Sequence, residues 1–263
     1  VTVTLPVSRG ASARWEGGRY FREVFWVLSG GDRLYASLYS APRPTVGVVI
    51  LPGWGRDGRL LLEWCHKLAL GVTKLGGCGV LVQWPGHEDS EGDASALTFD
   101  RLVEVVVDAL WAGQECFPKA RWSLAGIRLG GTAVALAANA ARVPTAVLVQ
   151  PDLNLEAYFD QVARSARLNL LRGDPHPGWG FGTEIPDGLR QPGTAAVVES
   201  ALASLICRTA VIHYSFPVPE PLPHNVLDIT VQGNWWRPPG GDHRLLRHRA
   251  LEFLGRREAS AAS

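Results

Sequence analysis

The stretch Arg121-Trp122-Ser123-Leu124-Ala125-Gly126-Ile127-Arg128-Leu129-Gly130-Gly131 (RWSLAGIRLGG) decides the fold. Its first part is a short, largely apolar run that reads as a buried strand, and Leu129–Ala141 behind it is an Ala-rich helix that Pro144 stops. Strand passes to helix through Ile127-Arg128 alone, with Gly126, Gly130 and Gly131 around the turn. A turn that tight needs small flanking residues and forces its middle residue into a sparsely populated backbone conformation. It also places that residue at the head of a helix, where backbone N–H groups and the positive end of the helix dipole converge.

Working outward, the same alternation recurs. Upstream, Val46–Pro52 (VGVVILP) and Gly79–Trp84 (GVLVQW) are β-branched or apolar runs of the kind buried on both faces of a sheet, and Thr145–Pro151 (TAVLVQP) follows downstream. Leu60–Leu75 and Thr98–Cys116 carry apolar residues at helical spacing between them. Strand–helix repeats of this kind predict an α/β fold with a mostly parallel central sheet and helices on both faces. Before them, Arg22–Leu28 and Leu34–Tyr39 flank the turn cluster Ser29–Asp32 and read as an antiparallel hairpin. After Pro151 the pattern changes to a helix over Leu155–Leu171, a Gly- and Pro-rich stretch over Arg172–Gly193 and a helix over Ala195–Leu205. Strands at Ala210–Tyr214 and Val226–Gln232 and a helix at Arg244–Leu254 close the chain. Residues 154–207 are therefore expected to be an insertion, a cap over the carboxyl edge of the sheet, within one domain spanning 1–263.

The frame Gly126-Ile127-Arg128-Leu129-Gly130 is that of a nucleophile elbow, G-x-S-x-G, with arginine in place of the nucleophile. A guanidinium stays protonated and cannot attack a carbonyl. Two more turns fit the same architecture: Leu51-Pro52-Gly53-Trp54-Gly55-Arg56 after one strand, and Trp84-Pro85-Gly86-His87-Glu88-Asp89-Ser90 after the next. His243 follows the last strand. On these residues the chain resembles the α/β-hydrolase superfamily over about Arg22 to Leu254. Within it, the chain is similar to the exosortase A system-associated hydrolases, through the elbow, Val149-Gln150-Pro151 ahead of Tyr158-Phe159, and Val231-Gln232-Gly233-Asn234-Trp235-Trp236. Trp54-Gly55-Arg56-Asp57 departs from that pattern. The resemblance implies a site at the carboxyl edge of the sheet, with the Trp54 and Leu129 amides as oxyanion donors beside Gly130, and with Trp235 against the ligand.

Each candidate residue has a second reading. Arg128 either clamps a carboxylate or phosphate at the elbow, or pairs internally with a buried carboxylate such as Asp152 or Asp89. His243 is either a general base or the start of the last helix with Asp242 as its N-cap. Its acid partner is open among Asp152, Glu220 and Asp228. His87 reads as a residue that organises its turn. Trp26, Trp111 and Trp122 are expected in the core. Trp54, Trp84, Trp179, Trp235 and Trp236 fall at strand ends or in loops, either lining a ligand pocket or anchoring loops.

Composition narrows the function. Among 263 residues, 26 Lys+Arg face 25 Asp+Glu, a net charge of +1, and 23 of the 26 are Arg. That excludes a broad basic face for nucleic acid. The longest apolar stretch, Ala125–Val149, is broken by Arg128, Asn139 and Arg142, so no membrane span is expected. Cys65, Cys78, Cys116 and Cys207 are scattered, without metal-ligand spacing. They are expected as reduced core residues in a cytoplasmic protein that needs no metal or cofactor. The start lacks a signal-peptide pattern, although the Val1 start leaves a trimmed leader open. The reading is a hydrolase-like protein of ester or thioester type, binding or acting on a small acyl- or carboxylate-bearing molecule without an acyl-Ser intermediate. The alternative is an inactive descendant serving as a ligand-binding or accessory protein in a bacterial exopolysaccharide or protein-sorting pathway.

Overall fold

The computed structural model describes residues 20–171, 186–213, 222–231 and 243–255. Strands β3 (Val46–Leu51), β4 (Cys78–Val82), β5 (Arg121–Ile127), β6 (Thr145–Val149) and β7 (Arg208–His213) are apolar in successive positions because helices cover both faces of the sheet they form. Alternation then sorts their side chains. Val49, Leu51, Leu124, Ala146 and Leu148 enter one core layer. Val48, Ile50, Ala125, Val147 and Val149 enter the other.

With β1 (Phe21–Ser29), β2 (Asp32–Ser40) and β8 (Val226–Thr230), these strands make an eight-stranded sheet in the order β1-β2-β4-β3-β5-β6-β7-β8. The predicted hairpin is present, with Ser29 opposite Asp32 and Gly30 and Gly31 at φ +54° and +93° in the turn. β2 runs antiparallel to β4, and every pairing from β4 onward is parallel. The fold class expected from the sequence is therefore the one found. The strand order reverses at β3, so β3 and β5 lie side by side although β4 separates them in sequence. Open parallel sheets bind ligands at such a switch point, outside the carboxyl ends of the strands.

Helices α1 (Gly55–Lys74) and α6 (His243–Gly255) pack on one face. Helices α2 (Phe99–Cys116), α3 (Leu129–Ala137), α4 (Leu155–Leu171) and α5 (Thr194–Ala203) contribute to the other. Thr98 caps α2 by accepting the Arg101 N–H at 3.2 Å. Arg101 in turn ties α2 to the hairpin turn through Ser29 Oγ at 2.8 Å and Asp32 Oδ2 at 2.9 Å.

Two expectations need correction. α1 starts at Gly55, five residues before the predicted Leu60, so Trp54, in the connection after β3 as expected, is also the N-cap residue of α1. Helical periodicity could not show this, because Gly55 and Gly58 lack the apolar side chains that carry it. Trp111 is 46% exposed on the outer side of α2, whereas Trp122 is buried as expected. Trp122 lies flat on Gly47 and Gly113, where any Cβ would collide with the indole. No helix among the described residues is long and apolar enough to cross a membrane.

Candidate functional site

The elbow forms as its sequence requires. Arg128 stands at φ +57° and ψ −126°, between the end of β5 and the first residue of α3. For a non-glycine residue that conformation stores about 1–3 kcal/mol of strain. Backbone packed against backbone holds it: a Cβ at Gly126 would strike the Gly130 carbonyl, and a Cβ at Gly130 would strike the carbonyl of Leu51 on β3. The Arg128 N–H donates to the Val149 carbonyl at 3.0 Å, binding the elbow to the end of β6. The Leu129 amide opens α3 and has no preceding turn of helix to receive it.

A second sharp turn faces the first. Gln150, directly after β6, has φ +46°, and its N–H donates to the Ile212 carbonyl on β7 at 2.7 Å. This turn brings Asp152 to the elbow, and Thr132 Oγ1 of α3 donates to the Asp152 carbonyl at 2.8 Å. Arg128 Nη1 lies 2.9 Å from Asp152 Oδ1, with the two side chains 12% and 5% exposed. The Arg128 guanidinium also sits 5.2 Å from the ring centroid of Tyr158 on α4. Of the two readings of Arg128, the internal pair with Asp152 is thus realised. Asp89, the other carboxylate considered, is exposed in the loop after β4.

The start of α3 packs on the end of β3, with Gly130 against the Leu51 and Pro52 carbonyls, but the indole of Trp54 two residues on does not line an open pocket. It is fully buried, edge-on to Phe159 of α4 with centroids 5.3 Å apart and to His87 with centroids 5.7 Å apart. Trp84 is also fully buried, and its Nε1 donates to the Pro52 carbonyl at 2.9 Å. For these two tryptophans the anchoring role is the one observed. One cation and four rings, Arg128, Tyr158, Phe159, Trp54 and His87, form a chain of contacts that crosses from the elbow to the loop after β4.

His87 is the residue whose part the sequence understated. Its Nε2 accepts the Gly55 N–H at 3.1 Å, and its Nδ1 lies 3.1 Å from the Pro85 carbonyl. The acceptor role fixes the proton on Nδ1, which donates to Pro85. Burial pushes its pKa below the ordinary histidine value. It organises its turn through the Pro85 carbonyl, as expected, and it also reaches the amide next to Trp54, a contact between loops 32 residues apart.

The remaining candidates separate. His243 begins α6, and its side chain lies outside the described residues, as do Asp242, Glu220, Trp179, Trp235 and Trp236. Asp228 does not stand free for His243: its Oδ1 is 2.6 Å from Nε2 of His213, a buried imidazole at the end of β7 that the sequence did not single out. Cys65, Cys78 and Cys207 are buried and Cys116 half-buried, all as free thiols. Burial raises the pKa of each, to about 12 for Cys78 and about 11 for Cys116, which disfavours the reactive thiolate. Among the described residues, no group of three or more His, Cys, Asp or Glu is placed to hold a metal ion.

No family model matches the chain, and no curated protein matches it by sequence. Solved structures do. Est1E from Butyrivibrio proteoclasticus superimposes with a TM-score of 0.60 at 15% identity, over 88% of this chain and 100% of that one. The α/β hydrolase GrgF from Penicillium sp. sh18 gives 0.57 at 18% identity, over 89% and 97%. A thioesterase domain from the curacin biosynthetic pathway gives 0.52 at 14%, over 89% and 99%. At these identities the likeness is one of architecture, and it establishes that the chain has the α/β-hydrolase fold.

Proposed function

We propose that the protein binds a small acyl- or carboxylate-bearing molecule at the carboxyl edge of its sheet and forms no covalent acyl-enzyme at the elbow. One observation carries this reading: the position that holds the nucleophile in a G-x-S-x-G elbow holds Arg128, paired with the buried Asp152 at 2.9 Å. A guanidinium cannot attack a carbonyl; Asp152 offsets the charge of this one, but its fork carries five N–H donors, so it can pair with Asp152 and also donate to a ligand oxygen. In this proposal Arg128 and the Leu129 and Trp54 amides receive the ligand's oxygen atoms, with Gly130 keeping the helix terminus open to them. Residues 154–207 serve as the lid, a role supported by the contacts of Tyr158 with Arg128 and of Phe159 with Trp54. The ferulic acid bound to Est1E and the thioesterase domain of the curacin pathway, both structural neighbours, support a carboxylate- or acyl-type ligand as the chemical class.

The test combines labelling with binding. A fluorophosphonate probe is expected to leave the native protein unlabelled, while calorimetry with a series of alkyl and aryl carboxylates detects binding that Arg128→Lys weakens about tenfold, since lysine keeps the charge and loses the planar fork. Stoichiometric labelling of one serine, with turnover of acyl esters, would overturn the proposal in favour of a hydrolase.

A further inference from the structure

Trp54 is held in place by unusual means. It lies between Gly53 and Gly55, with Gly55 at φ +56°, so the backbone on either side can turn with little steric resistance. Its ring is fully buried between His87 and Phe159. Its indole Nε1–H is buried too and finds no acceptor among the described residues. Burying an unmet donor costs about 1–3 kcal/mol, a penalty that disappears once the indole reaches water or a ligand acceptor. Against this stand the Gly58 N–H, which donates to the Trp54 carbonyl at 3.3 Å, and one directional restraint from a side chain, the hydrogen bond from the Gly55 N–H to Nε2 of His87 at 3.1 Å.

That restraint exists only while the imidazole is neutral. A proton on Nε2 removes the acceptor and sets an N–H against the N–H of Gly55. It also places a positive charge beside the Trp54 ring, in a site with little water. The charges that face His87 are Glu88 of its own turn, which favours the protonated form, and Arg59 of α1, which opposes it. Those two pair with each other at 3.4 Å, and burial outweighs both. From α4 the layer behind Trp54 is the apolar ring of Phe159.

We propose that His87 and Trp54 form a proton-operated latch on the elbow cleft. With His87 neutral, the Gly55 amide is tied down and Trp54 is shut against Phe159, covering the ground between the β3–α1 turn and the elbow. When His87 takes a proton, the tie is broken, the Gly53-Trp54-Gly55 segment turns outward, and the indole N–H is satisfied. The cleft that opens is the one assigned above to the ligand, so the biological meaning of the latch rests on that reading. The motion itself does not, and it can be measured with no ligand present.

The experiment is 19F NMR of the full chain carrying 5-fluorotryptophan, with the Trp54 resonance assigned by Trp54→Phe, followed from pH 8 to pH 5 alongside the His87 imidazole signals and far-UV circular dichroism. The Trp54 resonance is expected to move toward a solvent-exposed shift with the same midpoint as His87, below pH 6.5, while the dichroism stays native. His87→Gln, whose side-chain carbonyl can accept the Gly55 N–H and does not titrate, should hold Trp54 shut across the range. His87→Ala should release it at pH 8. A Trp54 resonance that stays fixed while His87 titrates, that moves equally in His87→Gln, or that moves only as the dichroism collapses would overturn the latch. Failure of the carboxylates to bind, with the Trp54 transition intact, would sink the ligand reading and leave the latch standing.

Discussion

Two turns meet at the carboxyl edge of the sheet and are built on different principles. The elbow, Gly126 to Gly130, is fixed by main chain pressed against main chain, from Gly126 on Gly130 and from Gly130 on Leu51. The β3–α1 turn around Trp54 has main-chain support too, from the Gly58 N–H on the Trp54 carbonyl at 3.3 Å, but it also leans on side chains: the imidazole of His87, the indole N–H of Trp84 on the Pro52 carbonyl, and two ring contacts. The first is indifferent to which side chain stands at its apex, and Arg128 occupies a nucleophile's backbone conformation without a nucleophile's chemistry. The second depends in part on the identity and protonation of a side chain. A preserved elbow therefore testifies to packing, and the chemistry of the edge has to be read from what the apex residue touches.

The comparison can be broken in order of expected effect. Gly130→Ala forces a methyl group into the Leu51 and Pro52 carbonyls, which cannot yield without moving β3. It should cost about 3 kcal/mol or more and abolish cooperative urea unfolding of a native-like state. Asp152→Ala leaves the Arg128 charge buried without its carboxylate, and urea midpoints should fall by the equivalent of about 3 kcal/mol. Adding Arg128→Gly to that variant removes the stranded charge and the positive-φ strain together, so most of the loss should return. If the double variant is no better than the single one, the ion pair is not what fits arginine to the elbow.

The smallest effect is the dependence on pH. Burial lowers the pKa of both His87 and His66, the latter also opposed by Arg22. A histidine whose folded pKa lies below its unfolded value contributes stability that is whole above about pH 6.5 and drains away as pH falls through the folded value. Urea midpoints should thus decline between pH 7.5 and pH 5, and replacing both histidines with glutamine should flatten the decline. An unchanged slope in the double variant would assign the acid sensitivity to other groups.

Much of the architecture was legible because a doubly covered parallel strand needs an uninterrupted apolar run, and Val46–Leu51 and Thr145–Val149 have one. The elbow was legible because three glycines crowd a single turn. The Arg128–Asp152 pair was foreseeable as one of two options, since a charged apex on a buried turn requires a counter-charge, but only the turn at Gln150 selects Asp152 over Asp89. The start of α1 was hidden by glycines. The placement of Trp54 and the target of His87 were hidden for a different reason: both are decided by contacts between the β3–α1 and β4–α2 connections, and no periodicity in a single segment encodes such a meeting.

The four cysteines have a practical meaning beyond their inertness. Each thiol is held mainly in its protonated form near neutral pH, and three of the four are buried. The native chain is thus nearly silent toward maleimides and similar reagents. A cysteine introduced on an open surface, such as Val197→Cys on the 47% exposed face of α5, would react far ahead of the resident four. The protein thereby comes close to offering a clean background for attaching a single dye or spin label to residues 154–207.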